Sequence, residues 1–228
     1  MIYSPEHGFL FVKTRKTAGT SIEIELSTVA GDASIITPFG SARDEQLRAA
    51  RGGRPPQNFR ATKRIAAWRP RDLTRMLRGD GLPTEKVFWN HMPAQVIQQR
   101  LPEAWRTALT FCVVRNPWDV AASRFEMERR RRPEVDSVAS LFRDHGVPSN
   151  WDLYTIGDKV AVDRVLRYEN LEDELASLGA ELDLDFRPLP HAKRVGSRDH
   201  YRTTLSDDEA QVIADSCARE IEEFGYEY

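Results

Sequence analysis

Four short apolar runs punctuate the 228-residue chain: Gly8 to Lys13, Lys86 to Asn90, Thr110 to Val114 and Ala161 to Arg167. Each is too short for a helix, lacks polar alternation and is rich in Val, Phe or Ile, the pattern of strands buried on both faces. A helical signal follows every one. After the first, a turn of small residues leads into Ser21-Ile22-Glu23-Ile24-Glu25-Leu26. After the second, Pro93 opens Ala94 to Arg100, and after the third Pro117 opens a helix through Ala121, Ala122 and Phe125. After the fourth, Asn170 is placed to cap Leu171 to Leu178 and Gly179 to end it. Ser206, with Glu209 three residues on, forms a capping box for the closing helix. This repetition predicts an α/β domain with a central parallel sheet flanked by helices.

The length fits one domain over 1–228, and no linker or internal repeat divides it. An apolar fraction of 40% and a charged fraction of 30% are enough for a core and a solvated surface. Two stretches break the strand–helix pattern. Residues 31–60 are rich in Gly, Pro, Ser and Arg, and residues 129–158 begin with four arginines and hold Trp151 and Tyr154. Both read as irregular insertions, either substrate-facing loops or plain surface.

Charge is unevenly spread. The formal net charge of −2 argues against a dedicated nucleic-acid binder. Arg43 to Arg78 nevertheless holds eleven Lys or Arg against three acids, while Ser206 to Tyr228 holds eight acids against Arg219 alone. Such a basic block either attracts an anionic ligand or is a solvated arginine-rich face. Two cysteines, Cys112 and Cys217, are too few for a disulfide scaffold and fit a reducing compartment. No run approaches the roughly 20 apolar residues that span a bilayer, so the expectation is a cytoplasmic chain without a membrane span.

Chemistry concentrates at two strand-to-helix junctions. In Lys13-Thr14-Arg15-Lys16-Thr17-Ala18-Gly19-Thr20-Ser21, small, hydroxylated and basic residues lead into a helix, whose first N–H groups and dipole favour an anion. Gly19 allows close backbone approach, Thr20 and Ser21 supply hydroxyls, and Lys16 supplies a point charge. Alone, this segment is either a phosphate cradle or an ordinary turn with surface charge. It is not a Walker A loop, because the lysine precedes the glycine. In Val113-Val114-Arg115-Asn116-Pro117-Trp118-Asp119, an arginine ends a buried strand, and Ser123 follows about two helical turns later. Arg115 either donates its planar fork to a phosphate or pairs with Asp119 at the helix start. Its place at the strand's C-terminal end favours a ligand.

Taken together, Lys16-Thr17-Ala18-Gly19-Thr20-Ser21 and Val113-Val114-Arg115-Asn116-Pro117-Trp118 with Ser123 resemble the sulfotransferases that use 3′-phosphoadenosine 5′-phosphosulfate (PAPS), above all the branch of carbohydrate and bacterial members. Further likeness lies at Arg167-Tyr168-Glu169-Asn170-Leu171, at Arg198-Asp199-His200-Tyr201-Arg202 and at Phe224-Gly225-Tyr226. The resemblance implies a three-layer domain of the P-loop type, PAPS as donor and PAP as product. It implies that Lys16 contacts the transferring sulfonate, and that Thr17, Ala18, Gly19, Thr20 and Ser21 hold the 5′-phosphate. Arg115 and Ser123 would hold the 3′-phosphate, Tyr168 would lie near the adenine, and Lys193, Arg194 and Arg198 would close over the nucleotide. Arg15 stands where the family usually has proline, which adds charge near the donor.

Sulfuryl transfer also needs a base for the acceptor's proton, and a neutral imidazole suits that near pH 7. His91, just after the second apolar run and before Pro93, is the choice, by its placement and by its likeness to a family histidine. Packing or capping is the alternative role for His91, and Asp44 or Glu45 are the alternative bases. His7, His145, His191 and His200 lack that placement. No motif implies a metal. The expected reaction moves a sulfuryl group to a hydroxyl or amine of an anionic or polar acceptor, a small molecule or a glycan, with Trp68, Trp89 and Trp151 as sugar platforms or core residues. Two other readings stand behind it: a P-loop kinase-like phosphotransferase, and a non-catalytic module binding nucleotides or polyanions.

Overall fold

In the computed structural model, which describes residues 1–147, 149–190 and 200–228, the apolar runs around Phe11, Val113 and Leu166 form three adjacent strands. In chain order the strands are β1 (Ile2–Ser4), β2 (Phe9–Phe11), β3 (Ile35–Ile36), β4 (Arg60–Thr62), β5 (Thr84–Lys86), β6 (Leu109–Val114), β7 (Thr155–Ile156), β8 (Lys159–Val160) and β9 (Arg164–Arg167). The helices are α1 (Gly19–Val29), α2 (Ala42–Ala50), α3 (Pro70–Leu77), α4 (Ala94–Arg100), α5 (Pro102–Thr107) and α6 (Pro117–Arg129). They continue as α7 (Val138–His145), α8 (Trp151–Tyr154), α9 (Leu171–Leu182), α10 (His200–Thr204), α11 (Asp207–Ser216) and α12 (Ala218–Phe224).

The main sheet runs β3-β1-β2-β6-β9. Strand alternation sends its side chains to two separate cores. Phe9, Phe11, Phe111 and Val113 pack with Ile22 and Leu26 of α1 and Leu175 and Leu178 of α9. Leu10, Val12, Cys112 and Val114 pack on the other side with Met92, Ile97, Trp118 and Phe125. Helices therefore cover both faces, and the chain is an α/β three-layer domain. Phe111 is fully buried with its ring 5.1 Å from that of Phe11, and truncating such a residue to Ala costs about 3–5 kcal/mol.

The sheet is mixed rather than wholly parallel. Its centre, β2-β6-β9, is parallel, as the strand–helix repetition predicts. At one edge β1 runs antiparallel to both β2 and β3. The four residues between Ser4 and Phe9 are too few for a parallel crossover, so the chain must return as a hairpin. The run Lys86 to Asn90 is not a strand of this sheet. β5 ends at Lys86 in a separate pair with β4, and the N–H groups of Val87 and Phe88 both donate to the Phe59 carbonyl at 2.9 and 3.1 Å.

Gly179 does not end its helix. α9 continues to Leu182 with Asp183 in the left-handed conformation, and the Asn170 side chain makes no cap. A Cβ on Gly179 would lie 2.5 Å from the Leu184 carbonyl, so glycine there lets the returning chain pack against the helix. The capping box at Ser206 forms, but two helices, α11 and α12, follow it. Residues 31–60 and 129–158, read as irregular, carry β3 and α2 and α7, α8, β7 and part of α6 respectively.

Candidate active site

Parallel pairing of β2, β6 and β9 brings three strand ends to one edge: the loop from Lys13, Arg115 and Tyr168. That is the edge at which α/β sheets bind ligands. A cleft of about 670 Å³ opens there, lined by Lys13 to Ser21 together with Arg43, Asp44, His91, Arg115, Ser123, Arg124, Met127, Glu128 and Tyr168. Every described residue expected at the donor site, and the expected base, thus faces one cavity. Lys193, Arg194 and Arg198 lie outside the described residues.

The loop is built to present backbone N–H groups. Lys16 and Ala18 both adopt left-handed φ, 64° and 58°, on either side of Thr17. Left-handed residues alternating with right-handed ones turn successive N–H groups into one concavity. Ala18 occupies the N-cap of α1 and its side chain caps nothing, leaving the helix's first donors to a ligand. Thr17 differs from expectation in one respect. Its side chain is fully buried and hydrogen-bonds the Thr14 hydroxyl at 2.8 Å, and that hydroxyl donates to the Val113 carbonyl at 2.5 Å. Thr17 offers backbone to the cleft while its hydroxyl ties the loop to β6.

Lys13 carries no motif signal in the sequence, yet it lines the cleft and shapes the loop. It is 3% exposed, and its Nζ donates to Glu23 at 2.6 Å and to Thr20 Oγ1 at 3.4 Å. Burial pushes the Glu23 carboxyl up, but the Lys13 charge and the terminal ammonium outweigh it and hold it at about 2. The Lys13 stem crosses Gly19, where a Cβ would stand 2.8 Å from its Cγ. Lys16 Nζ lies 3.6 Å from Met127 Sδ on α6.

Of the two roles considered for Arg115, the pairing with Asp119 at the helix start forms. Its Nε donates to Asp119 at 2.7 Å and its Nη1 to the Lys16 carbonyl at 2.7 Å, and its guanidinium lies 4.0 Å from the Tyr168 ring centroid. The ion pair holds the guanidinium at the cleft wall. Asn116 starts α6 by accepting from the N–H groups of Trp118 and Asp119, and this start sets Ser123 and Met127 one turn apart along the cleft. Arg124 and Met127 also carried no sequence signal beyond that spacing.

His91 has φ 54° and is held by its Nδ1, which lies 3.2 Å from the Lys13 carbonyl. A carbonyl only accepts, so Nδ1 carries the proton and Nε2 the lone pair. Burial first, and the nearby Lys13 charge second, lower its pKa to about 4. Asp44 shares the cleft. Glu45 faces away, accepting from Phe39 N–H at 2.7 Å and pairing with Arg48 at 2.8 Å. Trp68, Trp89 and Trp151 are not among the lining residues, and Trp151 belongs to the core beside Tyr154. Among the described residues no group of three or more His, Cys, Asp or Glu side chains is placed to hold a metal ion, and no helix is long and apolar enough to cross a membrane.

No family model and no curated protein matches the chain. Among solved structures it is similar to a mouse sulfotransferase complexed with PAP, with 15% identity, a TM-score of 0.41, and coverage of 99% of this chain and 68% of that one.

Proposed function

We propose that the chain is a PAPS-dependent sulfotransferase acting on a hydroxyl or amine of an anionic or polar acceptor. One observation carries this reading. Two anion-holding elements about a hundred residues apart, the Lys16–Ser21 loop and Arg115 with Ser123, meet a neutral imidazole in a single cleft. The cleft's volume falls in the range of small-molecule sites.

The residues fit the donor. The uncapped N-terminus of α1 and the N–H groups of Lys16 to Gly19 suit the 5′-phosphate, with Thr20 and Ser21 beside them. Arg115 and Ser123 suit the 3′-phosphate, and Tyr168, already stacked on Arg115, suits the adenine end. When bound, PAPS supplies the sulfuryl group. Lys16, which lines the cleft, would supply positive charge to the sulfonate and to the phosphate oxygen it leaves. Nε2 of His91 accepts the acceptor's proton, while Nδ1–H holds the ring to the Lys13 carbonyl. Positioning and fixed charge do the remaining work, as in phosphoryl transfer.

The test is calorimetric titration of PAP, without added metal, into wild type, Arg115→Ala and Ser123→Ala. Metal-independent binding, weakened tenfold or more in Arg115→Ala and less in Ser123→Ala, is expected. No PAP binding, with ATP bound only alongside magnesium, would sink this reading in favour of a kinase-like enzyme. Binding without any sulfuryl transfer across a panel of sugars and phenols would favour a non-catalytic module.

A further inference from the structure

We propose that Arg15 and Arg124 together form a seat for an oxyanion carried by the acceptor, beside the donor loop and separate from the donor's two phosphate positions. The inference rests on the sulfotransferase reading and names its acceptor class. Both arginines line the cleft. Arg15 is rooted by a reciprocal pair of bonds: its N–H donates to Asn150 Oδ1 at 2.8 Å, and Asn150 Nδ2 donates to its carbonyl at 3.0 Å. Asn150 is itself 4% exposed and donates its N–H to Glu220 at 3.3 Å, so the root of Arg15 is anchored in the core.

The most deeply buried cations around the cleft are neutralised. Lys13 has Glu23, Arg115 has Asp119, and Arg48 in the adjoining groove has Glu45. Arg15 and Arg124 differ, since among the described residues neither takes part in an ion pair, and Arg124 Nε is buried without a hydrogen-bond partner. They are also close enough to feel each other. Burial first, and the Arg124 charge second, lower the Arg15 pKa, with Asp152 opposing them in part.

Leaving a buried guanidinium N–H unpaired is destabilising, and two neighbouring cations with no ion-pair partner among the described residues add repulsion. A carboxylate, sulfate or phosphate group removes both costs, because two guanidinium forks bind its oxygens in parallel. The loop and Arg115 already provide for the donor's phosphates. The remaining anion therefore belongs to the acceptor, and the acceptor is acidic.

The test uses the full chain saturated with PAP, titrated with D-glucuronate and with neutral D-glucose, for wild type, Arg124→Gln and Arg124→Lys. Glucuronate is expected to bind at least tenfold more tightly than glucose. Arg124→Gln should erase that preference while binding PAP within threefold of wild type, and Arg124→Lys should restore part of it. Equal binding of the two sugars to wild type, or an undiminished preference in Arg124→Gln, overturns the seat. A tenfold loss of PAP affinity in Arg124→Gln also overturns it, by assigning the arginine to the donor. Failure of wild type to bind PAP appears in the preceding titration and removes the sulfotransferase reading itself.

Discussion

The Nδ1–H of His91 donates to the carbonyl of Lys13 at 3.2 Å, so the residue that leads from β2 into the anion loop also sets the tautomer of the imidazole across the cleft. The two halves of the proposed chemistry, anion holding and proton removal, are thereby tied to one backbone position. A shift of the loop would turn the ring.

Activity should follow from that coupling. With its pKa lowered to about 4, chiefly by burial and next by the Lys13 charge, His91 stays neutral at the pH where a free imidazole, near 6.5, protonates. The acid limb of the kcat profile is expected near pH 4, with a flat rate from about pH 5 to 8. His91→Gln should lower kcat by about 10²–10⁴-fold with PAP affinity nearly unchanged. A limb near 6.5, or a His91→Gln variant of full activity, would assign the proton to another group, and Asp44 would be tested next.

Ala18 carries backbone strain that glycine would relieve. Its φ of 58° is a left-handed conformation at the N-cap of α1, which costs a residue with a Cβ roughly 1–2 kcal/mol, partly offset by the greater freedom glycine has when unfolded. Ala18→Gly is expected to raise stability by about 0.5–1 kcal/mol, or roughly 1–4 °C in Tm for a chain of this size. Calorimetric melting reads this directly. A lowered Tm would mean that the methyl makes packing contacts worth more than the strain.

Gly19 is constrained from the other side. A Cβ there meets Lys13 Cγ at 2.8 Å and Cε at 3.0 Å, and Lys13 cannot swing away while its Nζ holds Glu23 at 2.6 Å. Gly19→Ala must therefore move the loop or loosen a fully buried carboxylate. The expected loss is about 1–3 kcal/mol, measured by denaturant unfolding, with weakened PAP binding alongside. An unchanged midpoint would show that Lys13 has a second path to Glu23.

Much of this arrangement was legible in the residues, and the parts that were not share a cause. Continuous apolarity in Phe9–Val12 and Phe111–Val114 marks strands covered on both faces, and the sheet buries those residues on both sides. Arg115 and the 16–21 loop stand out because strand ends in such sheets face one edge. Val87 and Phe88 misled, since a short apolar run buried beneath a sheet looks like one inside it; only pairing with Phe59 tells them apart. Lys13, Arg15 and Arg124 acquire their roles from long-range neighbours: Glu23 in the helix, Asn150 far along the chain, and each other. Spacing along one segment carries no trace of such contacts.

Glu220 gives the last prediction, and its sign runs opposite to the usual carboxylate. It is 7% exposed and accepts from Tyr154 Oη at 3.0 Å and from Asn150 N–H at 3.3 Å, without a salt-bridge partner among the described residues. Burial raises its pKa, more than those hydrogen bonds lower it. The folded state thus holds a proton that the unfolded chain releases above about 4.3, so this group's contribution to stability declines as pH rises through that interval. Gln presents the same accepting oxygen without a charge. Glu220→Gln should match wild type near pH 4 and exceed it at pH 8. Glu220→Ala leaves the Tyr154 hydroxyl and the Asn150 amide without their acceptor, and should cost about 1–3 kcal/mol at both. Since Asn150 also clamps Arg15, the Ala variant is expected to blunt the preference for glucuronate while the Gln variant keeps it. Identical pH dependence of Tm in wild type and Glu220→Gln would mean that the carboxyl ionises freely in the fold.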